Sequence, residues 1–259
     1  MFMKAMQISS SLSLLSLVFC LTACETTVYR ANIGPMFAVV SGVTALQDSA
    51  GNPLPPPPQN DIESELGLGD TQAAPYLRLQ ADDGDHRFRL HGFGLDASGT
   101  GTLGQDYGDI QAGSVVDTSM ELFAITGNYA WRIVNLRQLR AGFGAQLGFY
   151  SLDVAARSNA NREEVETSVV VPMPYAEIEY SYYDLVLGAN GAIMAGDLGD
   201  ANGRYVDLEG YARLQATRDF DITAGYRFML LDSYGRASSR DFDADLDVQG
   251  IFVTVGLKF

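Results

Sequence analysis

"YVDLEGYARLQAT", residues 205–217, alternates without a break. Val206, Leu208, Gly210, Ala212, Leu214 and Ala216 fall on one side of an extended chain, and Tyr205, Asp207, Glu209, Tyr211, Arg213 and Gln215 fall on the other. A period of two residues is the signature of a strand with one apolar and one polar face, and it is incompatible with an amphipathic helix. The fold turns on which face is enclosed.

The same alternation recurs along the chain. In "RQLRAGFGAQLGFYS" the residues Leu139, Ala141, Phe143, Ala145, Leu147 and Phe149 oppose Arg140, Gly142, Gly144, Gln146 and Gly148. "DITAGYRFML" sets Ile222, Ala224, Tyr226, Phe228 and Leu230 against Asp221, Thr223 and Arg227, and "YAEIEYSY" sets Ala176, Ile178, Tyr180 and Tyr182 against Glu177, Glu179 and Ser181. A soluble barrel would bury the oily face; a membrane barrel would expose it. Four features favour the membrane. The polar faces carry Arg and Glu that a soluble lipid-binding interior would have to desolvate, whereas a polar lumen pairs them. Aromatic residues gather near strand ends, as Tyr129 and Trp131 do before one turn and Tyr180 and Tyr182 before another. Connections alternate between tight ones, near Asp82–Asp85, Asn135, Asp184 and Asp219, and longer ones rich in Gly, Asp and Ser.

The fourth feature is the end of the chain, "GIFVTVGLKF", where Ile251, Val253, Val255, Leu257 and Phe259 share one face. This stretch resembles the C-terminal signature of Gram-negative outer-membrane β-barrel proteins, and the resemblance implies that Val255, Leu257 and Phe259 form the signal read by the barrel-assembly machinery. It departs from the usual pattern at Thr254, where a Gly is expected. The expected fold is an all-β, antiparallel up-and-down transmembrane β-barrel of about ten strands. Nine strands are predicted near 62–81, 86–97, 117–133, 138–155, 166–182, 184–196, 203–217, 220–235 and 243–259. A tenth, "IGPMFAVVSGVTALQ" from Ile33, makes the count even. An eight-stranded barrel, with everything before His86 as arm or loop, is the fallback. "GNPLPPPPQ", 51–59, cannot donate to a ladder and reads as an outer loop. Pro172 and Pro174 suggest a bulge or a membrane-distal start in their strand.

The other end of the chain reads as an export signal. Residues 1–23 hold one Lys, Lys4, no acidic residue and the apolar run "SLSLLSLVF", shorter than the roughly 20 residues of a spanning helix. Leu21, Thr22 and Ala23 before Cys24 resemble a bacterial lipobox, which implies an acylated Cys24 and, with Glu25 following, sorting to the outer membrane. The expected organisation is a signal peptide over 1–23, a lipidated tether over 24–32 and a barrel over 33–259. Cys20 leaves with the signal, so no disulfide is expected. Removal of Lys4 takes the formal charge from −15 to −16, which argues against nucleic acid as a partner. No later segment has 18 consecutive apolar residues, which excludes a helical span.

Assigning lumen faces by parity gives a candidate charge layer of Arg78, Arg87, Arg89, His91, Arg132, Arg140, Glu177, Glu179, Asp207, Glu209, Arg213 and Arg227. Such a layer serves either as an anion-attracting constriction or as paired charges that fill a narrow barrel, and the second fits barrels of this size better. "DFDADLD" sets Asp241, Asp243, Asp245 and Asp247 on one face; as an EF-hand loop it fails at Leu246 and Phe252, leaving only a weak rim site for a cation. The apolar parity switches between Val248 and Ile251, which predicts a bulge or the point where the strand leaves the membrane. Of two histidines, His86 precedes Arg87 and Phe88, and His91 precedes Gly92 and Phe93, so neither opens the His-x-Ser or His-Ser-Asn arrangement of the barrel deacylases and phospholipases; an Asp/His pair of the kind barrel proteases carry stays open, with nothing in the sequence marking one. "GFGLDASGTG" and "GFGAQLG" lack the flanking helix of a nucleotide loop, so no cofactor is implied and their glycines read as space-makers. The expected function is a non-enzymatic structural or surface role; a narrow channel ranks second and a barrel hydrolase third. The expected partners are outer-membrane lipid, lipopolysaccharide and the assembly machinery, with the chain itself a monomer.

Overall fold

The computed structural model describes residues 27–54, 59–198, 201–237 and 240–259. The expected signal peptide and Cys24 lie outside these residues. Eleven strands run in chain order: β1 (Val28–Leu46), β2 (Asn60–Asp61), β3 (Gln72–Asp83), β4 (His86–Thr102), β5 (Val115–Asn135), β6 (Leu139–Arg157), β7 (Arg162–Tyr182), β8 (Leu185–Leu198), β9 (Ala201–Gln215), β10 (Phe220–Ala237) and β11 (Arg240–Lys258). β2 is two residues long and pairs only with β1. The other ten form an antiparallel meander in which β1 closes on β11, so that the sheet has no free ends. Ten wall strands, rather than the fallback of eight, put Val28 and Phe259, the two ends of the described wall, on the side of the tight turns.

Alternation settles the orientation. On β9, Tyr205, Asp207, Glu209, Tyr211 and Arg213 are buried in the lumen, while Leu208 and Leu214 stand about half exposed outside. Phe88, Leu90, Phe143, Leu147, Ile178 and Ile251 continue this oily belt. Trp131, stacked edge-on against Phe143 at 5.9 Å, and Tyr180, Tyr182 and Tyr183 mark its lower rim beside the tight turns.

Above the belt the strands invert their polarity. On β11 Phe242, Ala244, Leu246 and Val248 face inward and Asp241, Asp243, Asp245 and Asp247 outward, with the same parity as Phe252 inside and Ile251 outside. Of the two explanations the sequence left open, the bulge is absent, because the ladders from β11 to β10 and to β1 run unbroken through Val248 and Ile251, and the exit from the oily belt is the one that fits. Only the surroundings change, from acyl chains to water, so the outward face turns acidic and the interior becomes an apolar core of the kind a soluble barrel has. β5 and β6 do the same, burying Val116, Met120, Leu122, Leu152 and Val154. The barrel thus has a lower storey with a charged interior and an upper storey with an apolar one.

Several boundaries differ from expectation for this reason. Much of what reads as long outer loops is strand: β6 and β7 are joined by four residues, 158–161, because both continue past the belt. β1 begins at Val28, so 28–32, expected as tether, belongs to the wall, where Arg30 pairs with Lys258. Residues 62–71, expected as the start of a strand, instead fold back over the outer mouth and bury Ile62, Leu66 and Leu68. Leu103, Tyr107 and Ile110 of the β4–β5 connection complete this cap. Gly99 and Gly101 explain its fit: a Cβ on either would collide with the carbonyls of Gly67 and Glu65, so only glycine lets the cap backbone lie on β4. The glycines of "GFGLDASGTG" make room, as expected, but for a backbone.

Candidate functional site

The strand pleat delivers lumen groups at every second residue, and β3, β4, β7 and β9 each carry several. Arg87 on β4 gathers three carboxylates: its Nε meets Asp82 at 2.7 Å, its Nη1 meets Glu177 at 3.1 Å and its Nη2 meets Glu179 at 2.6 Å. Asp82 also binds Arg132, Arg30 at 2.8 Å and the amide of Gln80 at 2.5 Å. Glu179 accepts a hydrogen bond from the Tyr211 hydroxyl at 2.5 Å and lies 3.6 Å from Arg213. Arg89 donates to the Tyr175 hydroxyl at 2.9 Å, which in turn donates to Glu177 at 3.1 Å.

A second group lies further from the turns. Arg78 donates to Glu209 at 2.5 Å and stacks among Tyr76, Tyr211 and Phe252, with its guanidinium carbon 5.1–5.6 Å from the ring centroids. Tyr76 donates to Glu209 at 2.8 Å, and Asn190 reaches its other oxygen at 3.1 Å. Arg227 binds Asp207 through two nitrogens, and Gln146 donates to the same carboxylate at 2.8 Å. His91 sits among these groups, its Nδ1 3.2 Å from the Tyr76 hydroxyl and 3.3 Å from Arg227. Six buried guanidiniums (Arg78, Arg87, Arg89, Arg132, Arg213, Arg227) share the lower storey with six buried carboxylates (Asp82, Glu177, Glu179, Asp207, Glu209, Asp221). Such balance is what permits charges to be enclosed at all.

Eleven of the twelve lumen candidates are brought together in this network. Arg140 is not: it makes no ion pair among the described residues and faces a basin of about 240 Å³ at the mouth beside the tight turns. Arg30, Arg137, Arg213 and Lys258 line the same basin, against Asp184 and Asp221. Parity could have found three missed members, because Tyr76 and Asp82 share the face of Arg78, and Tyr211 that of Glu209.

The acidic residues of β11 do not converge. Asp241 pairs with Arg236 at 3.0 Å, Asp243 accepts from Gln59 at 2.7 Å, and among the described residues no group of three or more side chains is arranged to hold a metal. His86 lies at a tight turn, hydrogen-bonded with Tyr129 at 2.9 Å. His91 is 2 % exposed, beneath the apolar core and the cap. Val255 and Leu257 on β11 and Phe259 just after it face outward; Phe259 stacks on Tyr29 at 5.9 Å and exchanges two backbone hydrogen bonds with it, at the point where the barrel closes.

A ten-strand meander closed on itself, oily outside and ionic within, has counterparts among solved structures. The outer membrane protease OmpT from Escherichia coli superimposes with a TM-score of 0.58 over 91 % of this chain and 96 % of that one, at 11 % identity. This chain has the fold of the outer-membrane β-barrels. The translocator domain of autotransporter NalP from Neisseria meningitidis matches with a TM-score of 0.47, 11 % identity and coverage of 95 % and 94 %; Ail, the attachment invasion locus protein of Yersinia pestis, matches with 0.38, 12 % and coverage of 90 % and 98 %. No family model matches the chain, and no curated protein matches its sequence. At these identities the likeness extends to the barrel and not to any site on it.

Proposed function

We propose that this protein is a sealed outer-membrane barrel with a structural or surface-facing role in the cell envelope, and not an enzyme. The observation that carries the reading is Arg87, whose side chain is 1 % exposed while it ties β4 to the turn end of β3 and to β7 across the lumen. A guanidinium clamped by three carboxylates at the barrel's narrowest chemistry blocks a solute path and fixes which strands face each other. The apolar core and cap add a second and third obstruction above it. The enzymatic reading draws no support from His91, which is buried between Tyr76 and Arg227. The reading includes an acyl anchor at Cys24, recognition of Val255, Leu257 and Phe259 by the assembly machinery, contact with outer-membrane lipid and lipopolysaccharide, and a monomeric state.

A narrow channel is the second reading, favoured by the basin around Arg140, where five cations against two carboxylates would concentrate small anions. Planar-bilayer recording of the purified protein separates the two. A flat baseline supports the sealed barrel; discrete anion-selective steps overturn it.

A further inference from the structure

Among the described residues the wall is unzipped at two seams: the β3–β4 ladder stops at Tyr76 and Phe93, above which the cap backbone lies on Gly99 and Gly101 of β4, and a second seam, between β7 and β8, has no such cover. The β7–β8 ladder runs from Tyr182 and Leu185 up to Tyr175 and Ala192 and stops there. β7 continues to Arg162 held only by β6, and β8 continues to Leu198 held only by β9. Pro174 and Pro172 follow directly after the last pair. Two residues apart, they face the same edge of β7, and neither can donate a backbone hydrogen bond, so two successive rungs are missing from that edge where the ladder ends. The prolines that suggest a bulge in the sequence mark the lower end of a lateral gap instead.

A cavity of about 220 Å³ lies against this gap inside the upper storey, lined by Leu122, Leu152, Tyr205, Leu231, Phe242 and Leu246. Thr167, Ser168 and Val169 of β7 also line it. Ser168 points outward by parity and is exposed, so three consecutive residues from both faces of one strand border the same space. The cavity therefore reaches round the free edge of β7. The gap stands at the top of the oily belt: Val170 is 53 % exposed there and pairs with Phe149, whereas Glu166 and its partner Asp153 are already beyond it. An apolar cavity of about 150 Å³ is enough to admit benzene, so this one has room for several methylenes. At its rim stand the hydroxyl of Ser233 and the exposed guanidinium of Arg236, whose Nε already holds Asp241 at 3.0 Å.

We propose that the upper storey binds one acyl chain of an outer-leaflet lipid, which enters sideways between β7 and β8 and leaves its anionic headgroup beside Arg236. The opening lies level with the outer leaflet, where acyl chains are the concentrated apolar species, and the interior chemistry suits them.

The test uses the full-length protein in liposomes containing a phospholipid with a diazirine at the end of one acyl chain, followed by irradiation and peptide mass spectrometry. Adducts are expected on the inward-facing Leu152, Leu231 or Leu246 as well as on the outward-facing Phe149 and Val170. Ala244→Phe, which fills the cavity, should cut inward labelling about tenfold and leave outward labelling unchanged. Pro172→Val with Pro174→Val, which restores two donors and extends the ladder, should give the same loss with the cavity intact. Retained resistance of the folded barrel to detergent unfolding checks both variants. Adducts confined to outward residues, or inward labelling that persists in Ala244→Phe, would overturn the proposal.

Discussion

Arg227 on β10 holds Asp207 on β9 in a two-pronged pair, Nε to Oδ1 at 3.0 Å and Nη2 to Oδ2 at 2.8 Å, with both side chains all but fully buried. The geometry is that of the strong charge-assisted class, and its setting explains why it persists: the Phe93 ring lies 5.4 Å from the guanidinium carbon and excludes water. Removing one partner of such a pair strands the other charge in a dry lumen. Arg227→Met is therefore expected to destabilise the barrel by about 3–5 kcal/mol, while Arg227→Met combined with Asp207→Leu should recover most of that loss. Urea unfolding in lipid vesicles measures both. A double variant as unstable as the single one would mean that the pair contributes net stability of its own.

The obstructions in the lumen act in series, which gives a prediction for the cap. Ile62 is tied to β1 by its amide on the Gly42 carbonyl at 2.9 Å, and Gly108 of the second cap segment reaches the Leu46 carbonyl at 3.0 Å. Beneath them Tyr76 and Phe252 stack at 4.8 Å across the apolar core, and the Arg87 cluster lies lower still. Deleting residues 63–69 should leave bilayer current at baseline, because two barriers remain. Single-channel steps on that deletion alone would identify the cap as a gate.

Tyr107 gives the cap a pH limit. Burial pushes its phenol up to about 12, against a smaller opposing effect of its hydrogen bond with Thr44. A free tyrosine ionises near about 10, so the docked cap holds its proton where a detached one would lose it. Docking is fully supported below pH ~10 and loses that support as pH climbs towards ~12, since the anion cannot be accommodated in the apolar setting. A tyrosinate absorbance titration, taken as the difference between the native protein and Tyr107→Phe, should place the midpoint near 12. A midpoint near 10 would show the phenol to be solvated.

Strand parity made the wall and most of the ionic layer legible from the sequence. Leu208 and Leu214 against Asp207, Glu209 and Arg213 admit one orientation once the guanidiniums need partners. What parity cannot reveal is height. The same alternation on β11 changes meaning at Val248, because Asp247 and Ile251 lie on one face and differ only in whether water or lipid surrounds them. The cap escaped notice because Ile62, Leu66 and Leu68 share one parity and so read as the start of a strand, whereas they are buried through long-range contacts with β1 and β4. Pro172 and Pro174 were conspicuous, yet their effect depends on β8, a neighbour that a single strand's sequence does not specify.

Outside the upper storey, register sets four carboxylates in a row. Asp96 on β4 lies opposite Glu121 on β5, Glu121 opposite Asp153 on β6, and Asp153 opposite Glu166 on β7. None of the four takes part in an ion pair among those identified in the described residues, and like charges directly across a ladder oppose pairing. Glu121 has an acidic neighbour on each side, so Glu121→Gln relieves two repulsions with little change of shape. The variant should be more stable than the native protein by about 0.5 kcal/mol at low ionic strength. In about 1 M salt, where the screening length falls to ~3 Å, the two should unfold at the same urea concentration. A gain that survives high salt would point to packing around residue 121 instead of charge, and no gain at low salt would mean that the four side chains splay apart beyond mutual reach.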